Sequence, residues 1–463
     1  MKLNQRIDEL KEEIIKSTQD LVKIKSVEEE AKDGKPFGEG VAESLEKALK
    51  ISEDLGFKTV NMDGYVGYAE YGEGEDYVAV LGHLDVVPEG DGWIYPPYGA
   101  EIHDDKMYGR GTMDDKGPIV SALYGLKAIK DLNLPLSKRV RVIFGTDEET
   151  GSADMEYYMD REKAPVAGFT PDAEYPIIYG EKGLTIFDVV KDLKLKGNED
   201  ICIKYIKGGT RANVVPDYCE AGISTKNVND IVKLAEKFIE DSGYNVKAEV
   251  KEDLVMIKSV GVAAHGSTPE LGKNAIMQMF KFLETLPLGV SDIADYIKFF
   301  NAYVGFETDG ESFGVGLEDK ESGKLSFNVG TILMNEDRVS MALNLRYPVT
   351  FKFEDMINPV NKRLEGTGIR VENMDAEKPL FFSESHPLIK SLQKVYTEQT
   401  GKEATLLAIG GGTYAKSMPN IVAFGPLFPG ETDTIHQRNE YIKVDDLVLN
   451  SKIYAHGIYE LAK

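Results

Sequence analysis

The sequence is 463 residues long, with 54 Lys+Arg against 78 Asp+Glu, a formal net charge of −24. That length allows roughly three domains, or two of which one is interrupted. Hydrophobic content of 42% and charged content of 29% exclude a disordered or collagen-like chain, and the acidic balance opposes both phosphate backbones and anionic membrane surfaces, so neither nucleic acid nor membrane is expected as a partner.

The first 22 residues are charged throughout, and Ile7, Leu10, Ile14, Leu21 and Val22 recur near helical spacing. This predicts an amphipathic helix and not a signal peptide. No run approaches the about 18 apolar residues of a membrane span. Cys202 and Cys219 are the two cysteines, neither in a CxxC pair. They predict buried, reduced thiols, no thiolate zinc site and a cytoplasmic location.

Beyond the first helix, short apolar runs alternate with helical patterns, the rhythm of an α/β fold. Four runs read as buried strands, and each leads to a metal-type donor. Val78–Leu81 leads through Gly82 to His83 and Asp85. Val140–Phe144 leads through Gly145 and Thr146 to Glu148 and Glu149. Val166–Thr170 leads through Pro171 to Asp172, and Ile421–Phe424 leads through a Gly/Pro-rich loop to His436. Ligands of open α/β sheets bind at the carboxyl ends of strands. Between the third and fourth runs lies a long stretch with its own strand, Met341–Tyr347, and helical patterns near 228–242 and 274–286. The economical model is one catalytic domain, 1–180 and 383–463, interrupted by an inserted domain, 181–382.

His83, Asp114, Glu149, Asp172 and His436 supply two imidazoles and three carboxylates, enough for two divalent ions if one carboxylate bridges them. A lone strand-end His is ordinarily a satisfied polar residue; four strand ends converging on donor chemistry make the ligand reading. Asp85, two residues after His83, supplies the acceptor that a ligating imidazole needs on its other nitrogen. In the Glu148–Glu149 pair one carboxylate can bind metal while the other moves a proton. The residues themselves do not choose between Asp114 and Asp115, and Asp115 reads equally as a helix cap. In Met341–Tyr347, Arg346 projects from the face opposite the apolar residues, where a guanidinium can fork onto a carboxylate. His103, His386 and His456 lack partners at ligand spacing and read as surface or capping residues, and Trp93 as a packing anchor.

The segments GHLDVVP, YGRGTMDDKGP, GTDEETG and TPD with the late His436 resemble the co-catalytic dinuclear zinc peptidase family of aminoacylases, glutamate carboxypeptidases and desuccinylases. GGTRANVVPD, GVAAHGSTPELGKNA, the strand ending in Arg346 and GGGTYAKSMP extend the likeness over nearly the whole chain, most closely to the bacterial dipeptidase V branch. The resemblance implies a mixed-sheet α/β catalytic domain with an inserted α+β lid. It implies His83 and Asp172 on one ion, Glu149 and His436 on the other, and Asp114 bridging both, with the Asp114–Asp115 peptide cis. It implies Asp85 as the orienter of His83 and Glu148 as general base for a metal-bridging water. His265 would steady the oxyanion. Asn213, Arg346 and the backbone of the glycine loop, Gly411, Gly412 and Thr413 included, would hold the substrate's free carboxylate. Tyr414 departs from the Asp that many relatives carry at that place, which leans away from the desuccinylases.

The expected protein is a cytoplasmic dipeptidase cleaving short peptides with a free N-terminus, using two divalent ions, Zn²⁺ first and Mn²⁺ or Co²⁺ as alternatives. Because the insert is long enough to supply His265 from the same chain, whereas the resemblance implies that dimeric relatives with a shorter lid borrow this His from a partner subunit, a monomer is expected. Two alternatives stay open: an N-acyl amino acid deacylase or carboxypeptidase of the same fold, and a non-catalytic metal or peptide binder.

Overall fold

The apolar runs form strands because they are buried from both sides, the pattern of parallel strands covered by helices. The computed structural model describes residues 2–195, 200–251 and 254–463. Two compact units result, one from Met1–Tyr179, Phe382–Leu407 and Gly412–Lys463, the other from Gly180–Phe381 and Ala408–Gly411.

In the first unit, Tyr77–His83 is buried along its whole length and lies between two parallel neighbours, Arg139–Gly145 and Ala167–Thr170. Ile421–Ala423 joins in parallel beside Ala167–Thr170, more than 250 residues away in sequence. Val66–Tyr71, then Lys58–Met62, close one side of this sheet in antiparallel fashion, and Ile177–Glu181 pairs antiparallel with Ile421–Ala423. Because the four central strands run the same way, their carboxyl ends emerge on a single edge. The third and fourth strands are shorter than their apolar runs: Val166 is exposed ahead of Ala167, and Phe424 follows the end of its strand. Helices Lys116–Asp131 and Val444–Ala462 pack on each other and on the sheet. The single helix expected at the N-terminus is divided in two, Lys2–Glu9 and Lys11–Val22. Leu10 between them is buried, and its carbonyl still accepts from Ile14 N–H at 3.0 Å, so the apolar stripe carries through the break.

Among the described residues the second unit contains an eight-stranded, wholly antiparallel sheet with helices Val228–Ser242, Ala275–Glu284, Asp292–Tyr303 and Phe353–Leu364. In its strand Arg338–Tyr347 the residues Val339, Met341, Leu343, Leu345 and Tyr347 are fully buried in the core beside Phe280 and Ile297. The period of two therefore sends Asn344 and Arg346 to the other face. Cys219 is buried, as expected, but Cys202 is only half-buried, because its strand position alternates with Ile201 and Ile203, which take the core side. Among the described residues no helix is long and apolar enough to cross a membrane.

Candidate metal centre

Tyr77–His83 ends on His83, whose imidazole is fully buried. Its Nδ1 lies 2.9 Å from the Asp85 carbonyl oxygen and 3.4 Å from Asp85 Oδ1. An acceptor on that side places the ring proton on Nδ1 and leaves the Nε2 lone pair free, the tautomer a metal ligand requires. Asp85 Oδ2 accepts from Glu149 N–H at 3.0 Å while Oδ1 has no hydrogen-bond partner, so the backbone carbonyl of Asp85 holds the His83 ring and its carboxylate holds the Glu149 loop.

His83 Nε2 stands 2.8 Å from Asp114 Oδ1 and 3.8 Å from Asp172 Oδ2. His436 Nε2 stands 2.9 Å from the other Asp114 oxygen, Oδ2, and 3.1 Å from Glu149. Asp114 thus divides its two oxygens between two imidazoles that arrive from opposite ends of the sequence. Donor atoms of His83, Asp114 and Glu149 lie within 4.8 Å of one another, and so do those of His83, Glu148 and Asp172.

The electrostatics match a site built for cations. Burial, followed by the Asp114 charge, pushes the Asp172 carboxyl well above its ordinary range. Burial pushes Glu148 up to about 8, with His83 opposing and the Glu149, Asp114 and Asp85 charges adding. Burial and Asp114 raise Glu149 as well. The carboxylates at His436 lift its imidazole to about 10 against the opposing effect of its burial. Asp114 differs, the two imidazoles holding its carboxyl well below its ordinary range against burial; the other crowded carboxylates hold protons until a divalent ion replaces them. Oxygen and imidazole donors at this density fit two such ions, and the set does not choose among zinc, manganese and cobalt.

Asp115 corrects the reading as a helix cap. It occupies the N-cap position of Lys116–Asp131 without a side-chain cap. Instead its Oδ2 accepts from His83 N–H at 3.2 Å, and it is fully buried, with its carboxyl raised well above the usual range by that burial. A Cβ on Gly82 would come 2.1 Å from this oxygen, so the strand must carry glycine just before His83. The peptide between Asp114 and Asp115 is cis.

Two braces escaped the sequence reading. Glu440, four residues after His436, is fully buried; its Oε1 accepts from the N–H groups of Gly111 (3.0 Å), Met113 (2.9 Å) and Asp114 (3.3 Å). Its Oε2 accepts from Arg110 Nη1 at 2.6 Å. Nothing but proximity to His436 in sequence could have marked it. Asp154, at the start of helix Ala153–Met159, accepts from Thr146 N–H at 2.6 Å and Asp147 N–H at 3.2 Å, directly ahead of Glu148. Tyr414, fully buried, donates its hydroxyl to the same Asp154 carboxylate, and its ring meets the His83 ring edge-on at 6.0 Å.

The remaining expected residues fall as follows. Thr413 caps the short helical turn Tyr414–Ser417 by accepting from Ala415 N–H at 3.1 Å, and Gly412 precedes it in the first unit. Asn213, His265, Arg346 and Gly411 belong to the second unit. There, Val214 and His265 form a β-bridge, so the Asn213 and His265 loops lie side by side. His265 is exposed, with Nδ1 2.6 Å from Ser267 Oγ, and partial desolvation, then the Arg346 charge, lowers its pKa. Arg346 is buried, and its Nη1 donates to Gly410 O at 2.5 Å. His386 caps helix Pro387–Thr400 through Leu388 N–H, His103 stacks on Tyr95, and His456 bonds Asn4, so none of the three joins the cluster. Trp93 is half-buried and donates to Glu89 O at 2.7 Å.

Residues 79–460 match the model of Peptidase family M20/M25/M40. Among curated relatives, "Putative dipeptidase YtjP" of Bacillus subtilis strain 168 is 40% identical over 459 residues, covering 98% of each chain. "Putative dipeptidase SH1171" of Staphylococcus haemolyticus is 35% identical over 463 residues, covering 99% of this chain and 98% of that one. Human carnosine dipeptidase 1 superposes with a TM-score of 0.60 at 17% identity over 99% of this chain and 98% of its own. An M20 family metallo-carboxypeptidase, Sso-CP2 of Sulfolobus solfataricus, does so with 0.58 at 18% identity over 97% and 99%. At these identities the solved structures speak for the fold.

Proposed function

The chain belongs to peptidase family M20/M25/M40 and is a peptide-bond hydrolase, and on that premise we propose that it is a metal-dependent dipeptidase acting on short peptides with a free N-terminus. The observation that carries this reading is the division of the Asp114 carboxylate, one oxygen 2.8 Å from His83 and the other 2.9 Å from His436. His83 and Asp172 would hold one ion, His436 and Glu149 the other, and Asp114 both. Two divalent ions, when bound, acidify a water and polarise the scissile carbonyl.

The protein groups then do the rest. Glu148 accepts the proton of the attacking water and returns it to the leaving amine. Its loop is held for this by Asp154 on Thr146 and Asp147 N–H and by Asp85 on Glu149 N–H. His265 donates to the oxyanion as it forms, a role that its lowered pKa supports by keeping the ring a neutral donor–acceptor with Ser267 on Nδ1. Arg346, Asn213 and the segment Gly411, Gly412 and Thr413 take the substrate's free carboxylate, where a buried guanidinium favours an anion. In this reading the unit carrying His265 and Arg346 serves as the lid on the catalytic unit.

The test is an add-back assay. Chelated protein is supplied with Zn²⁺, Mn²⁺ or Co²⁺ and given free dipeptides beside the same dipeptides N-acetylated. Metal-dependent cleavage of the free forms alone is the expected result. Cleavage of only the acetylated forms moves the assignment to an acylase or carboxypeptidase, and cleavage of neither, with metal bound, to a binding protein.

A second expectation follows from the raised carboxyls. In the metal-free protein Glu148 titrates at about 8, and Asp172 and Glu149 are raised with it, while His436 holds its proton up to about 10. The ligands Asp172, Glu149 and His436 must shed their protons to bind, so metal affinity should rise with pH up to about 10, where His436 gives up its own, with protons released on binding. Calorimetric titration in buffers of different ionisation enthalpy measures this; a pH-independent affinity contradicts it.

A further inference from the structure

The second unit carries a buried cation whose hydrogen-bond partners are all neutral. Arg346 is 4% exposed, and its hydrogen bonds go to two uncharged acceptors, the Gly410 carbonyl through Nη1 at 2.5 Å and Asn344 Oδ1 through Nε at 3.2 Å. No carboxylate of the described residues comes within ion-pair distance of it. Burial lowers the guanidinium pKa to about 10, with Glu377 acting in the opposite direction from farther off. A buried charge without a counter-ion is costly, and the cost is relieved when a ligand brings the opposite charge.

The identity of residue 344 decides whether that charge stays available. Asn344 is fully buried, two residues before Arg346 and on the same face of strand Arg338–Tyr347. Across the ladder, Asn328 stands opposite Asn344 and Ser326 opposite Arg346, both buried and both neutral. Asn328 is tied down by donating to Ala212 O at 2.8 Å and Val214 O at 3.1 Å, which fixes the loop carrying Asn213 beneath the same face. Nδ2 of Asn344 and Oγ of Ser326 have no hydrogen-bond partner. An aspartate at 344 would keep the shape and the acceptor for Arg346 Nε while adding a full negative charge beside the guanidinium.

We propose that Asn344 is a specificity-determining residue: it orients Arg346 with a neutral acceptor and so reserves the guanidinium charge for the carboxylate of the substrate. The inference rests on Arg346 being the carboxylate anchor of the dipeptidase reading. It adds that selectivity for an acid over an amide at the substrate's C-terminus is set by the absence of charge on Asn344 and its cross-strand neighbours.

The experiment compares a dipeptide with its C-terminal amide on the metal-loaded protein, reading KM and kcat separately. The unsubstituted protein should prefer the acid. Asn344→Asp should raise KM for the acid about 10-fold or more, since its charge opposes the incoming carboxylate, leave KM for the amide within about 3-fold, and so collapse the preference. Asn344→Ala, which removes the contact but adds no charge, should keep the preference. Ser326→Asp brings a carboxylate to Arg346 from the neighbouring strand and should collapse it too, so the question remains answerable if Asn344→Asp does not fold. A retained preference in a folded aspartate variant overturns the proposal, as does equal loss in Asn344→Ala. If the unsubstituted protein shows no preference for the acid, the anchor role of Arg346 falls and the proposal with it, a result distinct from either of the others.

Discussion

Replacing Glu148 by Gln is expected to lower kcat about 10²–10⁴-fold while both metal ions stay bound. Gln has the size and hydrogen-bonding reach of Glu but cannot take a proton, so under the proposed mechanism the substitution removes the base and little else. The loop has no reason to move: its backbone is held by Asp154 on Thr146 and Asp147 and by Asp85 on Glu149, none of which touches the Glu148 side chain. The measurement must include metal stoichiometry, because Glu148 also lies within ligand range of His83 and Asp172. Loss of one ion from the variant would make Glu148 a ligand and reassign the base. Full metal content with unchanged turnover would remove Glu148 from the chemistry altogether.

Glu440→Gln is expected to damage the site from behind. The native carboxylate receives three backbone N–H groups from Gly111, Met113 and Asp114 as well as the Arg110 guanidinium. Gln offers one acceptor oxygen and adds donors where donors already converge. Arg110, 2% exposed, then lacks its counter-ion. Removing one partner of a buried ion pair costs about 3–5 kcal/mol, so the melting temperature of the metal-free protein should fall by several degrees. Since the segment that Glu440 holds ends on Asp114, metal affinity should weaken by about 10–100-fold as well, the usual effect of losing a support behind a ligand. Thermal melts without metal, followed by metal titration, separate the two effects. A variant that melts normally and binds metal normally would show that the loop keeps its shape by itself.

The two substitutions probe residues of very different visibility. Glu148 could be read directly, because it follows an apolar run and stands beside a second Glu, a local pattern with a chemical reason. Glu440 could not: a single acid in a polar loop carries no local signal, and its importance arises when three N–H groups and a guanidinium close around it. Asp115 shows the same limit. Its neighbour Asp114 has the same chemistry in the same sequence context, and what separates them is that one faces two imidazoles while the other lies buried under the His83 backbone. Tyr414 was visible as a departure from relatives, yet its bond to Asp154 depends on a glycine strand end, Gly145, against which its ring packs.

What the sequence determined by itself was the class of reaction, peptide-bond hydrolysis, and the class of fold. Buried parallel strands are nearly continuous apolar runs, so their positions and the donors at their ends are written locally, and the alternation of Met341–Tyr347 placed Arg346 away from the core. The tertiary structure alone decided which strands are neighbours, bringing Ile421–Ala423 beside Ala167–Thr170 and with it His436 to Asp114. It decided too that Arg346 is buried between neutral acceptors instead of solvated. Periodicity reports which face of an element a side chain takes; it does not report what a distant segment places against that face. Ligand distances, buried counter-ions and unpartnered charges all depend on those distant segments.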